Sequence, residues 1–148
     1  MNRQNATKLL FLCPDNSIFS PIAAAWANEL GDGHVHSFSA GLSSCKRNKA
    51  AIEVMGETDI TLKEQPNILT NELLKWPDLV IAYTDEAAKH LPLPPGLQLF
   101  THDIPSQLNK SDKESIRQVR DRIFKQIQPL IEGIKKSHRK QLRLNKTH

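Results

Sequence analysis

The sequence has little of what would mark a secreted, a membrane-spanning or a metal-binding protein. It contains only two cysteines, Cys13 and Cys45, too few for the disulfide framework of a small secreted domain. No apolar run approaches the roughly 20 residues that a transmembrane helix needs, and the first apolar run is too short for a signal peptide. The histidines between residues 34 and 102 show no metal-ligand spacing. We therefore expect a cytoplasmic protein with reduced cysteines, no metal and no cofactor.

Positive charge is concentrated at the end of the chain. The 148 residues have a formal net charge of +4, and the final segment KKSHRKQLRLNKTH contains six Lys or Arg and no acid. The rest of the chain therefore carries a net charge of −2. We predict one domain over residues 1–134 and a flexible basic tail over residues 135–148. Such a tail is usually solvated, and weak contact with nucleic acid or an anionic surface is the alternative.

Apolar runs alternate with segments of helical composition along the chain. Predicted strands are Leu9–Leu12, HVHSFSA, DLVIAY and LQLF, and predicted helices begin near Pro21, Lys49, Asn71 and Ser111. Ser111 starts a capping-box sequence, and Pro129 is expected to kink the last helix. This alternation predicts an α/β fold with a parallel sheet covered on both faces. In such sheets, ligands bind at the carboxyl ends of the strands.

The loop from Cys13 to Ser20 joins the first strand to the first helix. Its amides could surround an oxyanion, and the helix would add the positive end of its dipole. A cysteine at this position could be a thiolate nucleophile. Asn16, Ser17 and Ser20 are suited to brace the loop and to hydrogen-bond the thiolate. A buried cysteine followed by an ordinary turn would explain the same residues.

The loop sequence CPDNSIFSPIAAAWANEL resembles the Cys-x5-Arg-Ser loop of the low-molecular-weight phosphotyrosine phosphatases and of the related thioredoxin-coupled arsenate reductases. Asn16 and Ser20 match the asparagine and the serine of that loop. Four later segments are also similar, in order: SFSAGL, DLVIAYTDEAAKHLP, HDIPSQ and RQVRDRIFKQI. The second of these is closest to the reductase branch. The resemblance runs from residue 8 to 134 and implies a three-layer αβα fold with a four-stranded parallel sheet.

The resemblance also implies which catalytic residues are present and which are replaced. In the family, a cysteine attacks phosphorus or arsenic, an arginine holds the oxyanion, and an aspartate protonates the leaving group. Cys13 matches the cysteine, whereas Phe19 occupies the place of the arginine. Losing such an electrostatic stabiliser costs at least about 10²–10³ in rate. Ile104 occupies the place of the acid, and Asp103 beside it is either a turn residue or a displaced acid.

A reductase of this family needs further thiols that pass electrons along as successive disulfides. The resemblance places them at Ile18, Thr84 and Leu91, and none of these is cysteine. Cys45 is the only other thiol of the chain, and a redox role for it is the less favoured reading. Asp15 adds a negative charge to the loop, which weakens anion binding further.

These replacements favour a catalytically degenerate member of the family that binds a ligand or a protein. Phe19 would suit an aromatic or neutral group better than a small oxyanion. The alternative is a slow phosphatase that uses Cys13, with Arg47 or a lysine as the substitute cation and Asp103 as the acid, or else an arsenate reductase. A solvated basic loop is the simpler explanation of Arg47. The candidate site comprises Cys13 and Asp103 as catalytic residues and Asn16, Ser17, Phe19, Ser20 and Arg47 as binding residues.

Overall fold

The computed structural model describes residues 6–14, 17–43, 47–62, 66–83, 93–102 and 108–146. Four strands form one sheet in the order β2-β1-β3-β4, and all neighbouring strands are parallel. The strands are β1 (Thr7–Cys13), β2 (Val35–Gly41), β3 (Leu79–Tyr83) and β4 (Gln98–His102). The predicted four-stranded parallel sheet is therefore confirmed.

Helices cover both faces of the sheet. They are α1 (Phe19–Gly31), α2 (Lys49–Gly56), α3 (Asn71–Leu74) and α4 (Lys113–Lys146). On one face, Leu9 and Phe11 of β1 pack in a large core with side chains of α1, α2 and α4. On the other face, Leu10 and Leu12 pack in a smaller core with Leu74 of α3. Successive residues of a strand point to opposite faces, so β1 contributes to both layers.

Helix α1 begins immediately after the Cys13–Ser20 loop. Its first residue is Phe19, so Pro21 is the third helical residue. The backbone N–H groups of the first turn have no partner within a helix, so proline loses no intrahelical hydrogen bond there. At the other end, Asp32 adopts a left-handed conformation with φ of 47°, and Gly33 follows with φ of 81°. These two residues turn the chain into β2.

The start of α4 differs from the prediction by one residue. The carboxylate of Asp112 accepts hydrogen bonds from the backbone N–H and the hydroxyl of Ser115, at 3.3 and 2.8 Å. Asp112 therefore caps the helix, and the predicted cap at Ser111 is wrong. The predicted apolar face of this helix is buried, and it includes Ile116, Val119, Ile123 and Ile127.

Helix α4 passes Pro129 and continues to Lys146. The boundary that we predicted at residue 134 is thus not an end of secondary structure, because residues 135–146 prolong the same helix. The imidazole of His138 lies 2.9 Å from the hydroxyl of Thr7 and 2.9 Å from a ring nitrogen of His34. The first turn of this prolongation is therefore attached to the amino end of the sheet. Over the described ranges, no helix combines the length and apolar character of a membrane span.

Candidate functional site

The carboxyl ends of the four strands form one edge of the sheet. Cys13 ends β1 and pairs with Gly41 of β2, and Tyr83 ends β3 and pairs with His102 of β4. The chain first goes from β1 to β2 on one side and later adds β3 on the other side. In an open parallel sheet, this change of direction leaves a crevice at the carboxyl ends of the two strands involved. Cys13 and Tyr83 therefore lie at the position where such folds bind ligands.

Cys13 is buried, and its sulfur is hydrogen-bonded. Its Sγ lies 2.8 Å from the hydroxyl oxygen of Ser20, and either group could be the donor. Only 1% of the Cys13 surface is exposed. Ser20 is the second residue of α1, so the sulfur lies beside the positive end of the helix dipole. The structure thus brings together two of the predicted site residues, a thiol and the hydroxyl predicted to hydrogen-bond it.

Backbone hydrogen bonds hold the loop against the segments that follow β2. The carbonyl of Pro14 accepts from the N–H groups of Leu42 and Ser43, at 2.9 and 3.0 Å. Ser17 is buried, and its carbonyl accepts from the N–H of Asn48 at 3.2 Å. Asn48 in turn caps α2 by accepting from Ala51 at 2.9 Å. The position of the loop is therefore coupled to the start of α2.

Phe19 lies in the core. It is 7% exposed, and its ring centroid lies 6.2 Å from that of Tyr83, with the planes 20° apart. Tyr83 also stacks with Phe11 at 6.5 Å and with His102 at 5.2 Å. Phe19 is thus part of an aromatic cluster (Phe11, Phe19, Tyr83 and His102). We expected Phe19 to line an open pocket, whereas most of its ring is buried.

Tyr83 is a site residue that the sequence did not single out. Its hydroxyl is buried and has no hydrogen-bond partner within the described ranges. Burial raises the pKa of Tyr83 above its ordinary value, so the phenol is neutral at physiological pH. An unsatisfied buried hydroxyl costs about 1–3 kcal/mol. The sequence placed this tyrosine correctly at the end of a strand, but nothing in the pattern showed that its hydroxyl would lack a partner.

Arg47 is the described cation that interacts electrostatically with Cys13. Burial lowers the pKa of the half-buried Arg47, and the negative charge of a Cys13 thiolate opposes that shift. A guanidinium stays charged at neutral pH in either case. Arg47 directly precedes the Asn48 cap of α2, which fixes its backbone. The backbone bond from Asn48 to Ser17 places Arg47 next to the segment that contacts the thiol loop, and its role at the thiol stays a prediction.

Several predicted site residues lie outside the described residues. They are Asp15, Asn16, Cys45, Thr84, Leu91, Asp103 and Ile104. Their roles remain predictions. Within the ranges that the structure describes, no cluster of three or more His, Cys, Asp or Glu side chains could hold a metal ion, and Cys13 is a free thiol.

Comparison with known sequences identifies one family. The profile described as low molecular weight phosphotyrosine protein phosphatase matches residues 8–141. An arsenate reductase of Halalkalibacterium halodurans is 31% identical over 135 residues, which cover 86% of this chain and 97% of the relative. An arsenate reductase of Staphylococcus aureus is 36% identical over 93 residues, 61% of this chain and 70% of the relative.

Solved structures show the same architecture. An arginine phosphatase from Geobacillus stearothermophilus superposes with a TM-score of 0.78 at 23% identity, covering 90% of this chain and 96% of that one. An arsenate reductase in a phosphate-binding state superposes with a TM-score of 0.72 at 25% identity, covering 86% and 98%. At the lower of these identities the likeness establishes the fold alone.

Proposed function

The chain belongs to the low-molecular-weight phosphotyrosine protein phosphatase family, and from this premise we propose that it is a catalytically degenerate member that acts by binding a ligand or a protein. The observation that carries the proposal is the burial of Phe19. At this position the family has an arginine, whereas here a ring stacks on Tyr83 inside the core. No side chain at position 19 is available to an oxyanion.

The energetic consequence is large. An arginine fork donates several charge-assisted hydrogen bonds to an oxyanion, and these strengthen the binding of its transition state. A buried phenyl ring donates none. Removing one donor of this kind typically slows a reaction by about 10²–10³. We therefore infer that turnover of phosphate esters or arsenate is not the main role of this site.

The remaining groups are suited to a neutral ligand. The aromatic cluster is uncharged and packed in the core, and the hydroxyl of Tyr83 has no hydrogen-bond partner in the described part of the chain. The Cys13 thiol and the Ser20 hydroxyl add a second polar pair at the same edge of the sheet. A neutral aromatic group that carries a hydrogen-bond acceptor fits these features better than a dianion does. Either a small molecule or an aromatic side chain of a protein could present such a group.

The test is turnover of p-nitrophenyl phosphate, and of arsenate with a thiol reductant, beside a Cys13→Ser control. We expect the rates of the wild type and of the control to be indistinguishable. Circular dichroism of both proteins would establish that they are folded. Turnover that disappears in Cys13→Ser would contradict the proposal, because it would show that the thiol still performs the chemistry of the family.

A second candidate function is a slow cysteine-dependent phosphatase. The observation that favours it is the position of Arg47 beside Asn48, whose N–H donates to the carbonyl of Ser17 in the thiol loop at 3.2 Å. In that case the guanidinium of Arg47 would hold the phosphoryl oxygens from the β2–α2 connection. The Arg47→Gln variant would then lose the Cys13-dependent rate, whereas Lys125→Gln, which removes an exposed cation of α4, would keep it. Equal rates in the two variants would exclude this role for Arg47.

A further inference from the structure

The prolongation of α4 holds positive charges on a fixed element. Residues 135–146 are helical and contain no acid. The bonds of His138 to Thr7 and to His34 attach this segment to the amino end of the sheet. Cations on an ordered helix have defined spacing, which a flexible tail would not provide.

One face of this segment lines an open groove of about 780 Å³. We call it the basic groove. Its described lining residues are Glu132, Lys136, Arg139, Lys140, Arg143 and Leu144. Successive residues in this set are one, three or four positions apart, which places all of them on one side of the helix. Four of the six are cations, so the groove presents a row of positive charge.

The basic groove is separate from the Cys13 site. Cys13 lies at the carboxyl end of β1, whereas His138 contacts Thr7 at the amino end of the same strand. Glu132 is the acid of the groove, and its carboxylate lies 3.8 Å from the ammonium of Lys135. Since Lys135 already balances that carboxylate, the groove retains a positive potential that an anionic partner would neutralise.

We propose that the basic groove binds the phosphate backbone of double-stranded nucleic acid without reading its sequence. From Lys136 to Arg143 the helix advances about 10 Å at 1.5 Å per residue. Four cations of one helix face lie within this length, and each can neutralise one phosphate of a duplex. Lysine and arginine both bind phosphate by charge-assisted hydrogen bonds. The sign and the clustering of charge thus suit a duplex backbone.

The composition of the same segment disfavours two other kinds of partner, single-stranded nucleic acid and a membrane surface. The segment after residue 134 contains no Phe, Tyr or Trp, and the ring of His138 contacts Thr7 and His34, so the described residues offer no platform on which single-stranded bases could stack. Helices that lie on membranes carry an apolar face opposite their cations. Here Leu142 and Leu144 are each about half exposed, but two positions apart they do not share a face. A duplex is therefore favoured over a bilayer.

The experiment is fluorescence anisotropy of the full chain with a labelled 20-base-pair DNA duplex. We expect binding at 50 mM salt that weakens about 10²-fold at 200 mM, as for about four neutralised phosphates. The K136Q/K140Q/R143Q variant removes three cations of the groove, and its salt slope should be smaller by about 2.7. The K110Q/R122Q/K125Q variant has the same change in charge but lies elsewhere, and it should bind like the wild type.

Three results would overturn the proposal. The first is no binding of the duplex at 50 mM salt by a chain whose circular dichroism shows intact helices. The second is equal loss of binding in both triple variants, since net charge and not the groove would then be responsible. The third is stronger binding to vesicles of mixed phosphatidylcholine and phosphatidylserine than to the duplex, which would assign the groove to a membrane surface.

Discussion

The two ends of the sheet differ in the kind of interaction that their side chains make. At the carboxyl end, Cys13, Phe19 and Tyr83 are almost fully buried, and Ser17 and Ser20 are buried beside them. At the amino end, α4 extends past the sheet and carries exposed cations around the basic groove. The first region depends on packing and hydrogen bonds, and the second on charge. The aromatic side chain of Phe19 is thus buried at one end of the sheet, whereas a row of cations is exposed beyond the other end.

Packing at the carboxyl end should therefore dominate stability. We predict that Phe19→Ala lowers the free energy of unfolding by about 3–5 kcal/mol, the usual cost of truncating a buried phenylalanine. Phe100→Ala is a matched control, because Phe100 is 52% exposed. Exposed sites usually change stability by no more than about 0.5 kcal/mol. Urea denaturation would measure both values, and similar losses in the two variants would contradict the burial of Phe19.

A smaller effect on stability should distinguish the hydroxyl of Tyr83 from that of Ser20, which both lie at the carboxyl end of the sheet. Tyr83→Phe removes a hydroxyl that has no partner in the described part of the chain, so stability should be unchanged or higher by about 1 kcal/mol. Ser20→Ala removes the partner of Cys13 and should lower stability by about 1 kcal/mol. Thermal or urea unfolding would show the contrast. A larger loss in Tyr83→Phe than in Ser20→Ala would mean that the tyrosine hydroxyl is hydrogen-bonded.

Arg47 provides the one cation that we place at the carboxyl end, among the residues described. It should attract anionic reagents to Cys13. We predict that Arg47→Gln lowers the ratio of the alkylation rates by iodoacetate and iodoacetamide about two- to fivefold, as for the loss of an ion pair worth up to about 1 kcal/mol. Using the ratio cancels changes in access to the buried sulfur. An unchanged ratio would show that the guanidinium does not act at the thiol.

The smallest predicted effect is a pH dependence of stability due to His34, which together with His138 attaches α4 to the amino end of the sheet. Burial first, and then the positive charges of His138, Lys135 and Arg139, lower the pKa of His34 below 6.5, while Asp32 acts in the opposite direction. The unfolded chain therefore binds this proton more readily than the folded chain does. This contribution to stability is complete above about pH 6.5 and decreases as the pH falls through that value.

The measurement is the free energy of unfolding at pH 7.5 and at pH 5.5. The wild type should lose more stability between these values than His34→Asn does. Glu53 and Glu57, whose pKa values are also lowered, are unchanged in the variant and cancel in the comparison. Identical pH dependence in the two proteins would show that protonation of His34 is not coupled to folding.

Local patterns in the sequence are sufficient to predict the strands and the position of the thiol loop. Apolar runs such as Leu9–Leu12 identify buried strands because the signal lies within the segment itself. The contact between Phe19 and Tyr83 depends on how β1 and β3 align, which no local pattern contains. Asp112 and Ser111 are both good capping residues, so only the geometry of the turn decided between them. The helical continuation past residue 134 agrees with the helix propensity of Lys, Arg, Gln and Leu, which the high density of like charge conceals in the sequence.

If the Cys13 site does not bind an oxyanion, inorganic phosphate should not bind there. Isothermal titration of the full chain with phosphate at pH 7 would be compared with the Cys13→Ser and Arg47→Gln variants, with the K136Q/K140Q/R143Q variant as a control for binding at the basic groove. We predict no saturable binding that depends on Cys13 or Arg47. Saturable binding that is lost in Arg47→Gln but kept in the groove variant would contradict this prediction, and would show that Arg47 replaces the missing arginine.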